Sequence, residues 1–197
     1  RTIENNRGNI LANGTLTMIA DTLIRNDLGR IHSGTGTYGV VRNGRFENIG
    51  QSNVEIIENV NSSLGVSGVP ARAGKLTGRN PKVQNMLNDK PTYSINASSQ
   101  SSNITSDGFI ALDVNGDVIN RDGGNIEAGG IAQIKASNVY NISKMAASSD
   151  GNTVLIGAGG RIRGSEVYLD VAGKVVNGIE DSLGNTYRRE DGVLVDN

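Results

Sequence analysis

The chain has 197 residues and a mass of 20.7 kDa, which is enough for one domain. Its 27 glycines and 24 asparagines, with aromatic residues at only 4%, argue against a conventional core of large aromatic side chains. Nineteen basic against twenty acidic side chains argue against a nucleic-acid-binding surface, the lack of cysteine excludes disulfides, and no apolar run reaches the ~18 residues of a membrane span.

A repeat occupies residues 1–34, where we predict regular coils. An Ile-x-Asn triplet at 3–5 returns at 24–26, which is 21 residues later, and a Gly-x-Ile triplet begins three residues after each Asn. Runs with alternating apolar residues, such as 16–20, predict short strands with one buried face. The glycines and asparagines between the runs are typical turn residues.

Residues 35–103 interrupt this spacing, and we interpret them as irregular coils with an excursion from the coil wall. A possible rung survives at 46–48, and the three prolines all fall within 70–91. Asn80-Pro81 is typical of a helix start, so we predict at most one short helix, over residues 82–87.

The excursion is also the candidate partner-binding segment. It concentrates positive charge, and loops that leave a rigid scaffold usually carry recognition. Its five basic residues are Arg72, Lys75, Arg79, Lys82 and Lys90.

Regular coils resume over residues 104–180. Val-x-Asn triplets at 118–120 and 139–141 are again 21 residues apart, whereas the next, at 175–177, follows after 36 and so requires an insertion. Residues 181–197 are predicted to end the coil or to begin another segment. The markers predict a structural ladder of Asn5, Asn26, Asn120, Asn141 and Asn177.

A period near 21 residues fits three short strands and three turns. Such a unit cannot bury its own apolar face and must stack on a copy of itself. We therefore predict a single all-β domain over residues 1–197, a right-handed parallel β-helix (solenoid). Helical repeats are disfavoured, because Gly and Asn at this density oppose helices.

Two stretches carry a family resemblance. Residues 3–20 and 159–177 resemble the repeats of filamentous haemagglutinins and contact-dependent inhibition exoproteins of two-partner secretion. The resemblance extends over roughly residues 1–34 and 104–180, which is more than half of the chain. The secretion module of that family carries Asn-Pro motifs, whereas the only Asn-Pro here is 80–81, so we interpret the chain as an interior haemagglutinin-repeat segment.

The resemblance implies a structural shaft segment of a secreted, surface-exposed bacterial exoprotein that serves adhesion or contact-dependent competition. The implied partners of the parent protein are a host or target-cell receptor or glycan, and an outer-membrane transporter for export. We expect no nucleic-acid partner and no membrane span.

The sequence offers little for catalysis, so we predict no enzyme activity, no catalytic residue, no cofactor and no metal. His32 is the only histidine, which excludes imidazole dyads. The Gly-rich run 157–160 lacks the lysine and the helix of a phosphate loop. Four aspartates fall within sixteen positions and are interpreted as solvated turn residues, with a weak Ca²⁺ site as the alternative: Asp107, Asp113, Asp117 and Asp122.

An alternative function belongs to a different class. Polysaccharide-degrading enzymes and carbohydrate-binding modules also use parallel β-helices. An enzyme of this kind needs a groove that combines paired carboxylates or Ca²⁺ with a basic residue.

Overall fold

A computed structural model of the chain describes residues 1–59, 92–147, 154–190 and 193–196. These residues form strands and no helix. The first nine strands are β1 (Thr2–Asn6), β2 (Asn9–Ala12), β3 (Thr15–Ala20), β4 (Leu23–Asp27), β5 (Arg30–Ser33), β6 (Gly36–Val41), β7 (Arg45–Ile49), β8 (Gln51–Asn59) and β9 (Thr92–Gln100). The others are β10 (Ser102–Ser106), β11 (Phe109–Val114), β12 (Asp117–Arg121), β13 (Gly124–Ala128), β14 (Ile131–Ala136), β15 (Asn138–Ala147), β16 (Val154–Ile156), β17 (Arg161–Arg163), β18 (Glu166–Val171), β19 (Val175–Glu180), β20 (Thr186–Glu190) and β21 (Val193–Asp196).

Three parallel sheets take their strands from the chain in a fixed order. Sheet A contains β1, β4, β7, β12, β15 and β19, sheet B contains β2, β5, β10, β13 and β17, and sheet C contains β3, β6, β11, β14 and β18. Each pass of the chain therefore gives one strand to A, then one to B, then one to C. The protein is all-β with three parallel sheets.

The register between passes pairs equivalent residues. In sheet A, Ile3 pairs with Ile24 and Asn5 with Asn26. In sheet B, Ile31 pairs with Ile104, which in turn pairs with Ile126. A one-residue slip would turn every buried side chain outward, so the repeated apolar positions specify this register.

The core consists of columns of aliphatic side chains that alternate with outward residues. Ile31, Ile104 and Ile126 form one fully buried column, and Val118 and Val139 belong to another. Small aliphatic side chains stacked between passes bury apolar surface, and each Å² removed from water stabilises the fold by about 25 cal/mol. Aromatic side chains are not needed for this. This packing is consistent with the low aromatic content.

The regular passes extend beyond residue 34, which corrects the predicted boundary. β6 and β7 continue the parallel pairing of β3 and β4 as far as Ile49, and the next strand of sheet B begins at Ser102 rather than 104. The pairing is preserved there although the step from Asn26 to Asn48 is 22 residues rather than 21 and the residue types change. Phe46 stands at the position that pairs with Ile24 in the preceding pass. Gly39 has no side chain, and the side chains of Leu112 and Phe46 lie beside the space that a Cβ would take.

Two insertions leave the passes between sheets A and B. The first begins with β8 and returns through β9, and these two nine-residue strands pair antiparallel. The predicted helix at 82–87 and the rest of the excursion lie outside the described residues. The second follows the ladder part of β15, whose end pairs antiparallel with β16 before the chain re-enters at β17.

The parallel pattern ends after β19. β20 pairs antiparallel with the end of β19, and β21 pairs antiparallel with β20. In the described part of the chain, no helix has the length and apolarity required to cross a membrane.

Candidate functional site

A line of asparagine side chains runs through sheet A. Asn5 Nδ2 donates to Asn26 Oδ1 at 2.8 Å, and Asn26 Nδ2 donates to Asn48 Oδ1 at 3.0 Å. The relay continues to Asn120, Asn141 and Asn177 at 2.9, 2.8 and 2.7 Å. All five predicted ladder residues lie in this line. Asn48 is a sixth member of the line. It lies in the triplet at 46–48, and because the residues around this triplet are irregular, the sequence pattern did not assign it to the ladder.

The same amides also bind the corner that leads into sheet B. Asn5 Nδ2 lies 3.1 Å from the carbonyl oxygen of Gly8, and Asn26 Nδ2 lies 3.1 Å from that of Gly29. Buried carbonyl groups need such partners, because an unmet hydrogen bond costs about 1–3 kcal/mol. Asn5 and Asn26 thus each bond to the neighbouring pass and close the corner of their own pass.

The Gly marker has a steric origin in this ladder. A Cβ on Gly29 would lie 2.4 Å from Asn5 Nδ2 and 2.5 Å from Asn26 Oδ1. The amide of Asn26 therefore occupies the space that any other side chain would need. The residue just before the Gly, Leu28, has a φ of 52°, which turns the chain sharply between the two sheets.

Ser102 takes the place of this glycine in the third pass. It pairs with Gly124 in the register of sheet B and is fully buried. Its hydroxyl donates to the carbonyl oxygen of Asn26 at 2.9 Å and accepts from Asn26 Nδ2 at 2.8 Å. Ser102 therefore replaces the glycine of the repeat and bonds to Asn26 through its hydroxyl. The sequence pattern alone did not identify this substitution.

A cleft of about 700 Å³ lies beside this corner, and we call it the corner cleft. One wall is the β8–β9 pair, where Asn53 lies opposite Ser98 and Glu55 opposite Asn96. Residues two apart on a strand share a face, so these four side chains lie on one face of the pair.

The opposite wall of the corner cleft carries charged side chains. Arg121, Lys144 and Glu180 line it, and Asp122 lies next to them with a side chain only 7% exposed. Arg121 bonds Glu180 at 2.5 Å and Asp122 at 3.0 Å, and Lys144 Nζ lies 3.4 Å from the same Asp122 oxygen. The buried carboxylate thus fixes both cations.

The turn after β19 borders the same cleft. Asp181 accepts hydrogen bonds from the Asn185 side chain at 2.8 Å, from two backbone amides and from the Tyr187 hydroxyl. These bonds, with the Asn185 side chain contributing most, hold the pKa of Asp181 below its ordinary value despite an opposing effect of desolvation. Asp181 therefore shapes the turn as a carboxylate.

Of the polar residues singled out in the sequence, His32 and Asp107 come together, with His32 Nε2 3.9 Å from Asp107 Oδ2, whereas the other aspartates face different partners. His32 Nδ1 lies 2.9 Å from Thr105 Oγ1, on the outward side of sheet B. Asp113 faces Lys135 at 3.9 Å on sheet C, and Asp117 accepts a bond from Asn138 at 2.7 Å. Among the described residues, no three His, Asp or Glu side chains are grouped as metal ligands.

The predicted partner-binding residues lie outside the described part of the chain: Arg72, Lys75, Arg79, Lys82 and Lys90. Comparisons with models of protein families, with curated proteins and with solved structures found no match.

Proposed function

We propose that the protein is a shaft segment of a secreted bacterial exoprotein displayed on the cell surface, folded as a closed right-handed parallel β-helix. The observation that carries the proposal is the relay of six asparagines through every strand of sheet A from β1 to β19. A relay of this kind stabilises a stack of like units and serves extension along one axis. The repeats that resemble filamentous haemagglutinins supply the family.

The mechanism is positional. Parallel strands lie about 4.8 Å apart, so the five steps from β1 to β19 span about 24 Å, and further passes extend the rod at the same rate. A rod of stacked passes holds a binding or toxic end away from the cell. Export through the outer-membrane transporter of two-partner secretion, and adhesion or contact-dependent competition by the parent protein, belong to this proposal.

Recognition is assigned to the first insertion. Its base is the β8–β9 pair, in which nine residues of each strand span about 30 Å at 3.4 Å per residue. An arm of this length supports contacts at a distance from the sheets. The five basic residues between 72 and 90, which lie between β8 and β9 in the sequence, supply affinity for anionic surfaces or glycans, and such attraction is weakened by salt.

The test replaces residues 60–91 with a short Gly/Ser linker and measures thermal unfolding and adhesion to host or bacterial cells. We expect an unchanged unfolding midpoint, because each pass of a solenoid is stabilised by its immediate neighbours. Adhesion should be lost. Retained adhesion would contradict the recognition role, and loss of folding would contradict the view that the insertion is separate from the shaft.

A second candidate function is favoured by the corner cleft. It places the carboxylates of Glu180 and Asp181 beside Arg121 and Lys144, which is the mixture of groups found in polysaccharide-degrading or carbohydrate-binding sites on β-helices. An assay for reducing ends or unsaturated products over a panel of acidic glycans, with and without a chelator, separates an enzyme from a shaft. The leading proposal expects no product.

A further inference from the structure

We propose that the corner cleft binds an uncharged oligosaccharide. The inference rests on the second candidate function and narrows it, because it assigns binding without cleavage and names the ligand class. It concerns the described residues of the two insertion bases and the turn after β19, all of which lie on the same side of the passes.

The cleft exists because three departures from the repeat meet at one place. β8 contacts both β15 and β16, and the backbone amide of Ala158 donates to Ser52 Oγ at 2.8 Å, which joins the two insertions. The turn at Asp181 closes the third side. A volume of about 700 Å³ is within the range of small-ligand sites, which is roughly 300–1,000 Å³.

The charges of the cleft disfavour acidic ligands. Arg121 and Lys144, the cations among its described lining residues, already face Glu180 and the buried Asp122. An acidic sugar would have to displace these partners and leave a buried carboxylate unpaired, which is strongly unfavourable. Glu55, exposed on the opposite wall, would repel it further.

The β8–β9 wall offers the groups that sugar hydroxyls need. Amide side chains both donate and accept, as hydroxyls do, so Asn53, Asn96 and Ser98 match either role of a sugar hydroxyl. Met145 adds an apolar surface for the carbon face of a ring. Exposed polar groups that converge on a concave surface with some apolar lining are typical of a pocket that orients a neutral ligand.

The experiment uses the whole chain and saturation-transfer NMR, followed by titration, with chitotriose, mannotriose and cellotriose as neutral probes and trigalacturonate and sialyllactose as acidic ones. We expect at least one neutral trisaccharide to bind, and to bind about tenfold more tightly than either acidic probe. Asn96→Ala, at an exposed strand position, should weaken that binding about fivefold, the effect of one lost hydrogen bond. Gln100→Ala, on the same strand but outside the cleft lining, is the matched control and should leave it unchanged.

A charge variant tests the reason for the selectivity. Glu55→Lys places an unpaired cation on the wall, so it should raise affinity for trigalacturonate at least about fivefold, with a gain that salt removes. Gln100→Lys adds the same charge outside the lining and should not. Binding of a neutral probe that survives Asn96→Ala unchanged would overturn the cleft assignment while leaving a carbohydrate-binding function in place. Failure of every probe to bind at millimolar concentration, or preference of the unaltered protein for acidic probes, would overturn the ligand class as well.

Discussion

At the scale of single residues, the Asn and Gly markers are one device rather than two. The amides of Asn5, Asn26, Asn120 and Asn141 each lie 2.4–2.5 Å from where a Cβ on the glycine of the same corner would be. The same amides need their neighbours in the relay. A change at either marker therefore disturbs hydrogen bonds in two passes at once.

The first prediction concerns Asn26. Asn26→Leu leaves Asn5 Nδ2 and Asn48 Oδ1 without their relay partners in a buried column, so it should lower the free energy of unfolding by about 2–4 kcal/mol. Urea unfolding measures the change. Asn9→Leu, the same substitution at an exposed strand position, is the control, and equal midpoints for the two variants would contradict the role of the relay.

The second prediction separates sterics from backbone freedom at glycine. Gly29→Ala should destabilise by about 1–3 kcal/mol, because the new Cβ would lie 2.4 Å from an amide that the relay holds in place. Gly14→Ala has no atom within 4 Å of its Cβ and should change stability by less than about 1 kcal/mol. Thermal unfolding of both variants distinguishes them. Similar losses in the two variants would contradict a steric role of the Asn amide at this glycine.

The third prediction concerns the carboxyl of Asp181. Its pKa is lowered in the folded protein, so its bonds stabilise the turn above the ordinary pKa and are lost as pH falls through the folded pKa. Asn185→Ala removes the largest contribution and should raise the pKa of Asp181 toward its ordinary value, as carboxyl NMR titration would show. Asn115→Ala, an exposed change outside this turn, should not, and an unchanged titration in Asn185→Ala would contradict the assignment.

At the scale of elements, the repeat predicted the strands wherever the markers kept their residue types. Residues 35–49 were predicted only as irregular coils with a possible rung at 46–48. The reason is that Phe46, Thr37 and Gly39 occupy interior positions held by Ile, Leu or similar aliphatic residues in other passes. Periodicity of residue type cannot detect a column in which a large side chain fills the space that a small neighbour leaves. The register of sheet A continues through this pass even though Asn48 follows Asn26 by 22 residues rather than 21.

The corner cleft could not be predicted from the same pattern. It depends on two insertions that lie far apart in sequence and meet only because the third and fifth passes are separated by a single pass in sheet A, in the order β7, β12, β15. Arg121, Asp122 and Lys144 carry no motif spacing that would associate them with β8 and β9. Tertiary stacking, not local sequence, brings these groups together.

At the scale of the whole molecule, stability is distributed along the axis. Each pass contacts the one before and the one after, so the middle passes have two neighbours and the outermost ones have fewer. The exposure of equivalent residues follows this rule. Leu169 of β18 is 41% exposed, whereas Ile134, which it pairs with in β14, is fully buried.

The fourth prediction compares one substitution at two heights of the ladder. Asn48→Leu lies in a fully buried rung with partners on both sides, whereas Asn177 is exposed and accepts from Asn141 alone in the described relay. Asn48→Leu should therefore lower the free energy of unfolding by about 2–4 kcal/mol and Asn177→Leu by less than about 1 kcal/mol, since water replaces the lost partner at the exposed rung.

Hydrogen exchange should agree with this difference. We expect the amides of β12 and β13 to be protected longest and those of β17 and β18 to exchange first, because outer passes open without disrupting the rest. Equal costs at both heights, or uniform protection along the axis, would mean that the passes unfold as one unit and that the nearest-neighbour description of this ladder is wrong.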